Sequence, residues 1–438
     1  MLENFKKNYF KKKYQDYHNI FNKNNITWIL SLYGTAIGAG VLFLPINIGI
    51  GGILYLLILI IIAFPITFLS HRNLARLVLL GNKKDSSISQ VIDENFGGKA
   101  SLLFSILYFL SIYPILLIYS TAITNTVNFF ITHHINGYEI PRFILASFLI
   151  FLLMFIILIG EKFIVKFMSI LVFPFILSLL FLSFYLIQFW NFSIFHELKN
   201  FFHQYNFKIY HAIWNLIPII IFSFNHSPII SSFVINKKKE CQIYAKKICP
   251  RILFYSHILM TTTVIFFVCS CIFSITTEEM IEAKNQNVSI LSYFSIRFQN
   301  SFLKDFGPIL ATIAITKSFL GHYIGAKEGL NNVFVLIFKK YNNKKNFYIK
   351  NITINSIVFI SAWFSAVFNP SILEIIEYVS GPIIAIILFL IPTYAIYTLP
   401  SMQQYRSEKL INLFLWVTGS IAFSSIIYQL IFKIKNWF

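Results

Sequence analysis

GTAIGAG, residues 34–40, and FSFNHSP, residues 222–228, decide how this chain is read. The first puts three glycines into seven residues of an apolar run, with Pro45 close behind. Each glycine costs a helix about 1 kcal/mol relative to alanine, and Pro45 leaves the carbonyl of Val41 without its donor. The second gathers Ser223, Asn225, His226 and Ser227 ahead of Pro228, which in the same way frees the carbonyl of Phe224. Both stretches lie inside runs of about 20 apolar residues, the length that crosses a hydrocarbon core of about 30 Å. A helix in lipid has to satisfy its own backbone, so a broken one persists only where it is buried in protein or lines a cavity. Purely structural alternatives exist for both. Gly34 and Gly38 form a GxxxG packing pair, and Pro228 can be a kink satisfied by its own Ser and Asn neighbours.

Outward from these stretches the pattern repeats. The 438 residues are 57% hydrophobic and 12% charged, with a mean hydropathy of +0.70, whereas soluble domains carry about 25% charged residues. The chain is an all-α polytopic membrane protein. Eleven spans are expected, near 28–51, 53–70, 100–130, 142–159, 168–189, 213–234, 252–275, 307–325, 351–368, 378–397 and 410–432. Of the 36 Lys and Arg, 27 fall in segments on one side of the membrane if residues 1–27 are cytoplasmic, which fixes the N-terminus inside and the C-terminus outside by the positive-inside rule. The net charge of +19 is therefore topological, and nucleic acid is excluded as a partner. Connections are too short for a separate soluble domain: the organisation is a tail, 1–27, and one transmembrane domain, 28–432. Residues 86–96 read as a short amphipathic helix capped by Asp85 or Ser86, and 276–305 as a partly helical external loop. Cys241, Cys249, Cys269 and Cys271 match no zinc or disulfide framework, and no signal peptide precedes Trp28.

The two breaks fall in the first and sixth spans, five apart and opposite in topology. Discontinuous helices at corresponding positions of inverted repeats point to a transporter site near the bilayer midplane. There, half-helix N-termini offer N–H groups to a carboxylate and freed carbonyls receive an ammonium group. A third constellation is TKSFLGHYIG, residues 316–325. An intramembrane lysine costs about 2.5–3.5 kcal/mol on insertion scales and is a functional candidate by default. Lys317, Gly321, Gly325 and Gly329 share one helix face, so Lys317 is expected to point into the bundle; snorkelling to an interface is the alternative. His257 reads as an interfacial histidine, with a proton relay as the alternative. Tyr113, Pro114, Tyr119, Ser120, Thr121, Thr124 and Asn125 line a pathway or serve as packing hydroxyls. Gly381-Pro382 is expected to kink the tenth span.

At this point the chain resembles a known family. LYGTAIGAGVLFLPINIGIGG (32–52), AFPITFLSHRNLARLVL (63–79), YPILLIYSTAITNTV (113–127), VKFMSILVFPF (165–175), FSFNHSPIISSF (222–233), AITKSFLGHYIGAKEGLN (314–331) and NPSILEIIEYVSGPIIAIILFLIPTYAI (369–396) are similar to signatures of the bacterial hydroxy and aromatic amino acid permeases. The likeness is greatest to the serine transporters and runs from about residue 26 onward. It implies a LeuT-type fold of 5+5 inverted repeats, about 28–189 and 213–397, with an eleventh transmembrane helix near 410–432.

The resemblance further implies secondary active transport across the bacterial inner membrane, with L-serine and protons as cargo. Threonine or aromatic substrates in the same fold remain open, as does an amino-acid sensor that does not transport. A hydrolase would need a buried acid beside His226, Ser227 and Ser223, and the spans supply none. The expected substrate site is Thr35, Ala36, Gly38, Gly40, Ser223, Asn225, His226, Ser227 and Tyr119, small residues and polar groups suited to a hydroxyl side chain. Lys317 and Ser318 are the expected coupling residues; the alternative is a permanently charged, structural Lys317 with His226 or His322 as the proton carrier. No metal and no cofactor is expected; the partners are a small amino acid, protons and lipid.

Overall fold

The apolar runs form helices, and small residues stand where the chain must turn. The computed structural model describes residues 20–83, 85–134, 140–191, 206–298, 303–337 and 344–435, so residues 1–19 of the expected tail lie outside the described residues. Among the described residues every regular element is helical. Helix α1 (Lys23–Ala36) stops before Ile37, and α2 (Ala39–Val78) follows Gly38. A straight helix as long as α2 would reach about 60 Å, twice the hydrocarbon core. Gly52 prevents that: its φ of 72° is a left-handed conformation that glycine adopts freely, and it divides α2 into 39–51 and 53–78.

The remaining helices are α3 (Ile88–Phe96), α4 (Gly98–His134), α5 (Arg142–Ile159), α6 (Glu161–Leu186), α7 (Asn206–Ser223), α8 (Ser227–Cys241), α9 (Ala245–Ser274), α10 (Thr277–Asn285), α11 (Ile290–Arg297), α12 (Leu303–Ile337), α13 (Lys344–Phe368), α14 (Ile372–Thr398) and α15 (Lys409–Lys435). Eight helices among the described residues are long and apolar enough to cross a membrane, or nine if α7 and α8, bent by 44° at their break, form one span. The sequence leads to eleven. Part of the difference is that 28–51 and 53–70 fall on α1 and the bent α2. The last expected span falls on α15, whose side chains from 426 onward lie outside the described residues.

Outer faces are apolar. On α5, Phe148, Phe151, Phe155 and Leu158 are each more than half exposed, and Phe173, Leu177, Phe181 and Phe184 of α6 continue the belt. A stripe at this helical spacing is stable where the solvent is hydrocarbon. The polar residues are inside, and they knit helices together. Tyr113 of α4 hydrogen-bonds Ser361 of α13, and Thr121 donates to the carbonyl of Ser365 at 3.0 Å. Ser120 and Thr124 donate to carbonyls of their own helix. The polar run of α4 is therefore chiefly packing.

Two local expectations shift. Ser87, not Asp85 or Ser86, caps α3 through a capping box with Gln90, because the Ser86 hydroxyl is donated to Glu94 at 2.9 Å. Gly381 meets the backbone of α7 so closely that a Cβ there would lie 2.5 Å from the Pro218 carbonyl oxygen. Around it α14 widens into π turns at Ile376–Ser380 and Ile386–Leu390 in place of a simple proline kink. The 276–305 segment is partly helical as expected, forming α10 and α11.

Both ends of the bundle are tied. At the lysine-rich end, buried Lys237 of α8 donates to Asn25 of α1 and to Glu240, both at 2.7 Å, and the Trp28 indole donates to Asn236 at 3.0 Å. Glu408 accepts from Arg72 at 2.6 Å and from Arg76 at 2.7 Å. At the other end Arg142 donates to Asn125 at 2.6 Å and to the Ala366 carbonyl at 2.7 Å, while Asn125 and Asn287 both donate to Asn369.

Candidate functional site

The two breaks meet. The Ser223 hydroxyl, last residue of α7, donates to the carbonyl of Gly40 at 3.2 Å. On the other side of the first break the Ser318 hydroxyl of α12 donates to the carbonyl of Ile37 at 2.9 Å. The Ile37 carbonyl freed at the break is thus taken up by Ser318, as an interrupted helix buried in protein requires, and Ser223 binds the first turn of α2 at Gly40. The glycines permit the approach. A Cβ on Gly38 would lie 2.4 Å from Ser318 Oγ and 2.9 Å from the Tyr119 hydroxyl, and one on Gly40 would lie 2.7 Å from the Phe222 ring and 3.0 Å from Ser223 Cα.

At the second break Pro228 acts as a helix starter, standing in the first turn of α8 where its missing N–H loses nothing. The Phe224 carbonyl accepts from His226 Nδ1 at 3.1 Å, and Asn225 Oδ1 accepts the Ser227 N–H at 3.0 Å. Asn225 Nδ2, His226 Nε2 and Ser227 Oγ are buried and have no hydrogen-bond partner. Buried polar groups are rarely left unpaired, so this cluster of open donors and acceptors is a candidate ligand site.

The expected residues separate into groups. Gly38, Ser318 and Tyr119 converge at the first break, Gly40 and Ser223 join the breaks, and Asn225, His226 and Ser227 form the second; all are buried or packed at these contacts. Ala36 is buried at the end of α1. Thr35 contributes differently than expected, because its hydroxyl donates to the Ser31 carbonyl of its own helix at 2.9 Å. Lys317 is buried, which excludes snorkelling, but its ammonium lies 3.8 Å from the centroid of the Phe175 ring on α6 and has no hydrogen-bond partner. Its neighbour Ser318, not Lys317 itself, reaches the first break. The glycines that follow do not face one neighbour: Gly321 meets Met168, Gly325 meets Pro228 and Gly329 meets Phe109. Gly34 packs on Val172 and Gly38 on Ser318, so the GxxxG pair serves two partners.

One reading is overturned. His257 is fully buried, not interfacial, and its ring centroid lies 4.7 Å from that of His226. His71 joins them, stacked on His226 with centroids 3.7 Å apart, and its Nε2 accepts the His226 N–H at 3.2 Å. Sequence reading passed over His71 because it stands near a span end. The packing of α9 on α2 beside the second break brings the three rings together.

A sequence profile of the tryptophan/tyrosine permease family matches residues 23–435. The serine transporter SdaC of Escherichia coli strain K12 is 46% identical over 95% of this chain and 97% of its own length. The threonine/serine transporter TdcC of Escherichia fergusonii is 39% identical over 94% and 97%. Among solved structures, a mutant of the Eremococcus coleocola manganese transporter superposes with a TM-score of 0.59 at 14% identity, covering 92% of this chain and 85% of that one, a likeness of fold.

Proposed function

The chain belongs to the tryptophan/tyrosine permease family, and on that premise we propose that it is a secondary active transporter moving L-serine into the cell together with protons. The observation that supports this most directly is the hydrogen bond from Ser223 to Gly40, which joins two helix breaks into one buried site. In this reading residues 28–189 and 213–397 are LeuT-type inverted repeats, 410–432 is an added eleventh span, and the protein lies in the bacterial inner membrane with its N-terminus cytoplasmic and its C-terminus outside.

The chemistry follows from the helix ends. The first N–H groups of α2 have no helical partner and suit the substrate carboxylate. The open Asn225 Nδ2 and Ser227 Oγ suit the hydroxyl and amine of a small polar amino acid. Lys317 supplies the coupling charge and Ser318 transmits it to the first break through the Ile37 carbonyl. Threonine is the second substrate, favoured by the relative named as a threonine/serine transporter. Uptake of labelled serine, threonine and tryptophan into vesicles under imposed proton or sodium gradients tests the whole reading. Serine accumulation driven by a proton gradient is the expected result; accumulation of none of the three would overturn it.

A further inference from the structure

We propose that His71, His226 and His257 form a buried proton-binding site, in which one proton is held between the Nε2 atoms of His226 and His257. The proposal rests on reading this chain as a proton-coupled transporter and adds a site at the second break, where Lys317 does not reach. The three rings come from 53–78 of α2, from the break itself and from α9, and each residue is at most 1% exposed. Each ring places Nδ1 against a backbone carbonyl: His71 at Thr67, 2.8 Å, His226 at Phe224, 3.1 Å, and His257 at Leu253, 2.7 Å. A carbonyl only accepts, so each Nδ1 bears the hydrogen and each neutral ring turns a lone pair outward at Nε2. One ligand atom of each ring lies within 4.8 Å of those of the other two.

The His71 lone pair is used by the His226 N–H, but those of His226 and His257 have no donor. Two buried acceptors facing an uncharged interior call for one shared donor. A metal ion fits poorly, since it bonds in the plane of each imidazole at about 2.0–2.1 Å. His71 and His226 are parallel to within 10° at 3.7 Å, so no point within bonding distance of both rings lies in both planes. A proton needs only one N–H bond and one acceptor. It adds to Nε2 of His257 as the O–H bond of its water carrier breaks, and the new N–H is donated towards Nε2 of His226 through one bridging water or after the rings rotate together. His257 is the better seat for the charge because His226 caps the N-terminus of α8, the positive end of that helix. The carbonyl of Leu253 receives the other N–H of the imidazolium and takes the place of a carboxylate.

The charged and titratable groups on the packed elements leave this seat free. Arg72, next to His71, is held by Glu408. Lys317 of α12 lies over Phe175, and His322 of the same helix bonds the Ser318 carbonyl and faces Tyr119. His71 and His226 feel the neighbouring rings, the Asn225 carboxamide stands beside His71, and the Thr67 backbone faces His257 as well as His71.

Histidine labelled with 15N in the purified, reconstituted protein reads the site directly. On acidification one Nε2 resonance should move from lone-pair to N–H character with one proton taken up per chain, and that transition should be missing in His257→Gln. In proteoliposomes at fixed membrane potential, a required proton makes the apparent KM for serine rise up to tenfold per pH unit. The slope should be lower by up to that tenfold in His257→Gln. An Nε2 that never titrates, or a variant with the wild-type slope, overturns the proposal. Wild-type uptake indifferent to a proton gradient would instead overturn the coupling reading, while the resonance still decides whether the cluster binds a proton.

Discussion

Gly38→Ala is the smallest change that tests the joined breaks. The added Cβ would stand 2.4 Å from Ser318 Oγ and 2.5 Å from Ser318 Cβ, against ordinary carbon contacts of about 3.5–4.0 Å. Ser318 cannot retreat and keep its 2.9 Å bond to the Ile37 carbonyl. Overpacking of this kind costs about 1–3 kcal/mol and the lost hydrogen bond about 1 kcal/mol more. If the site must hold this geometry to transport, about 2–4 kcal/mol corresponds to a fall in uptake of about 30- to 700-fold at 1.4 kcal/mol per decade. Initial rates of serine uptake, normalised to protein in the membrane, measure this. Gly98→Ala is the control, because a Cβ there meets only an Asp93 oxygen at 3.6 Å. The double variant Gly38→Ala with Ser318→Gly should regain part of the loss, since it removes the obstructing side chain. A Gly38→Ala protein that transports within twofold of wild type would refute the reasoning.

Asn225→Asp keeps the acceptor for the Ser227 N–H but removes the open Nδ2 donor, so the apparent KM for serine should rise about tenfold or more and by less for alanine; equal rises would reassign Asn225 to holding the break. Lys317→Met should still exchange serine across vesicle membranes while losing proton-driven accumulation, and unchanged accumulation would remove Lys317 from the coupling. Glu408→Gln should cost about 1 kcal/mol of stability, because the tie to Arg72 and Arg76 is part-exposed; thermal unfolding in detergent reads it. Burial pushes the Glu408 carboxyl up, but hydrogen bonds and charge from Arg76 and Arg72 outweigh it and hold the carboxyl below the usual range. A group depressed in the folded state stabilises above its unfolded value of about 4.3, so this contribution should fade only as pH falls below about 4, and Glu408→Gln should abolish that part of the acid sensitivity.

Composition and periodicity made the helices legible, because lipid leaves a chain few other ways to pair its backbone. The breaks were legible for the same reason: glycines and prolines with polar neighbours have no place on a lipid-facing helix, and 34–40 and 222–228 stand out locally. What the sequence conceals is direction. Thr35 and Ser318 are both hydroxyls next to a break, yet one bonds its own helix and the other crosses to the next. That difference depends on where the side chain leaves the helix, not on residue type. Lys317 was legible as buried but not as a partner of Phe175. His226 and His257 drew notice separately, but their meeting with His71 was not legible, since residues 71, 226 and 257 are joined only by the fold.

The tie between α1 and α8 has a mechanical meaning. Trp28 to Asn236 and Asn25 to Lys237 fasten together the two half-helices that flank the breaks on the lysine-rich side. Neither half can swing away alone without breaking both bonds and leaving Lys237 with Glu240 as its remaining partner, so the ties favour a pair that moves together about residues 37–38 and 224–226. Such a pair has a native optical reporter. Trp28 packs its ring against Phe233 at 5.4 Å, and any stroke that parts α1 from α8 would wet that indole and redden its fluorescence.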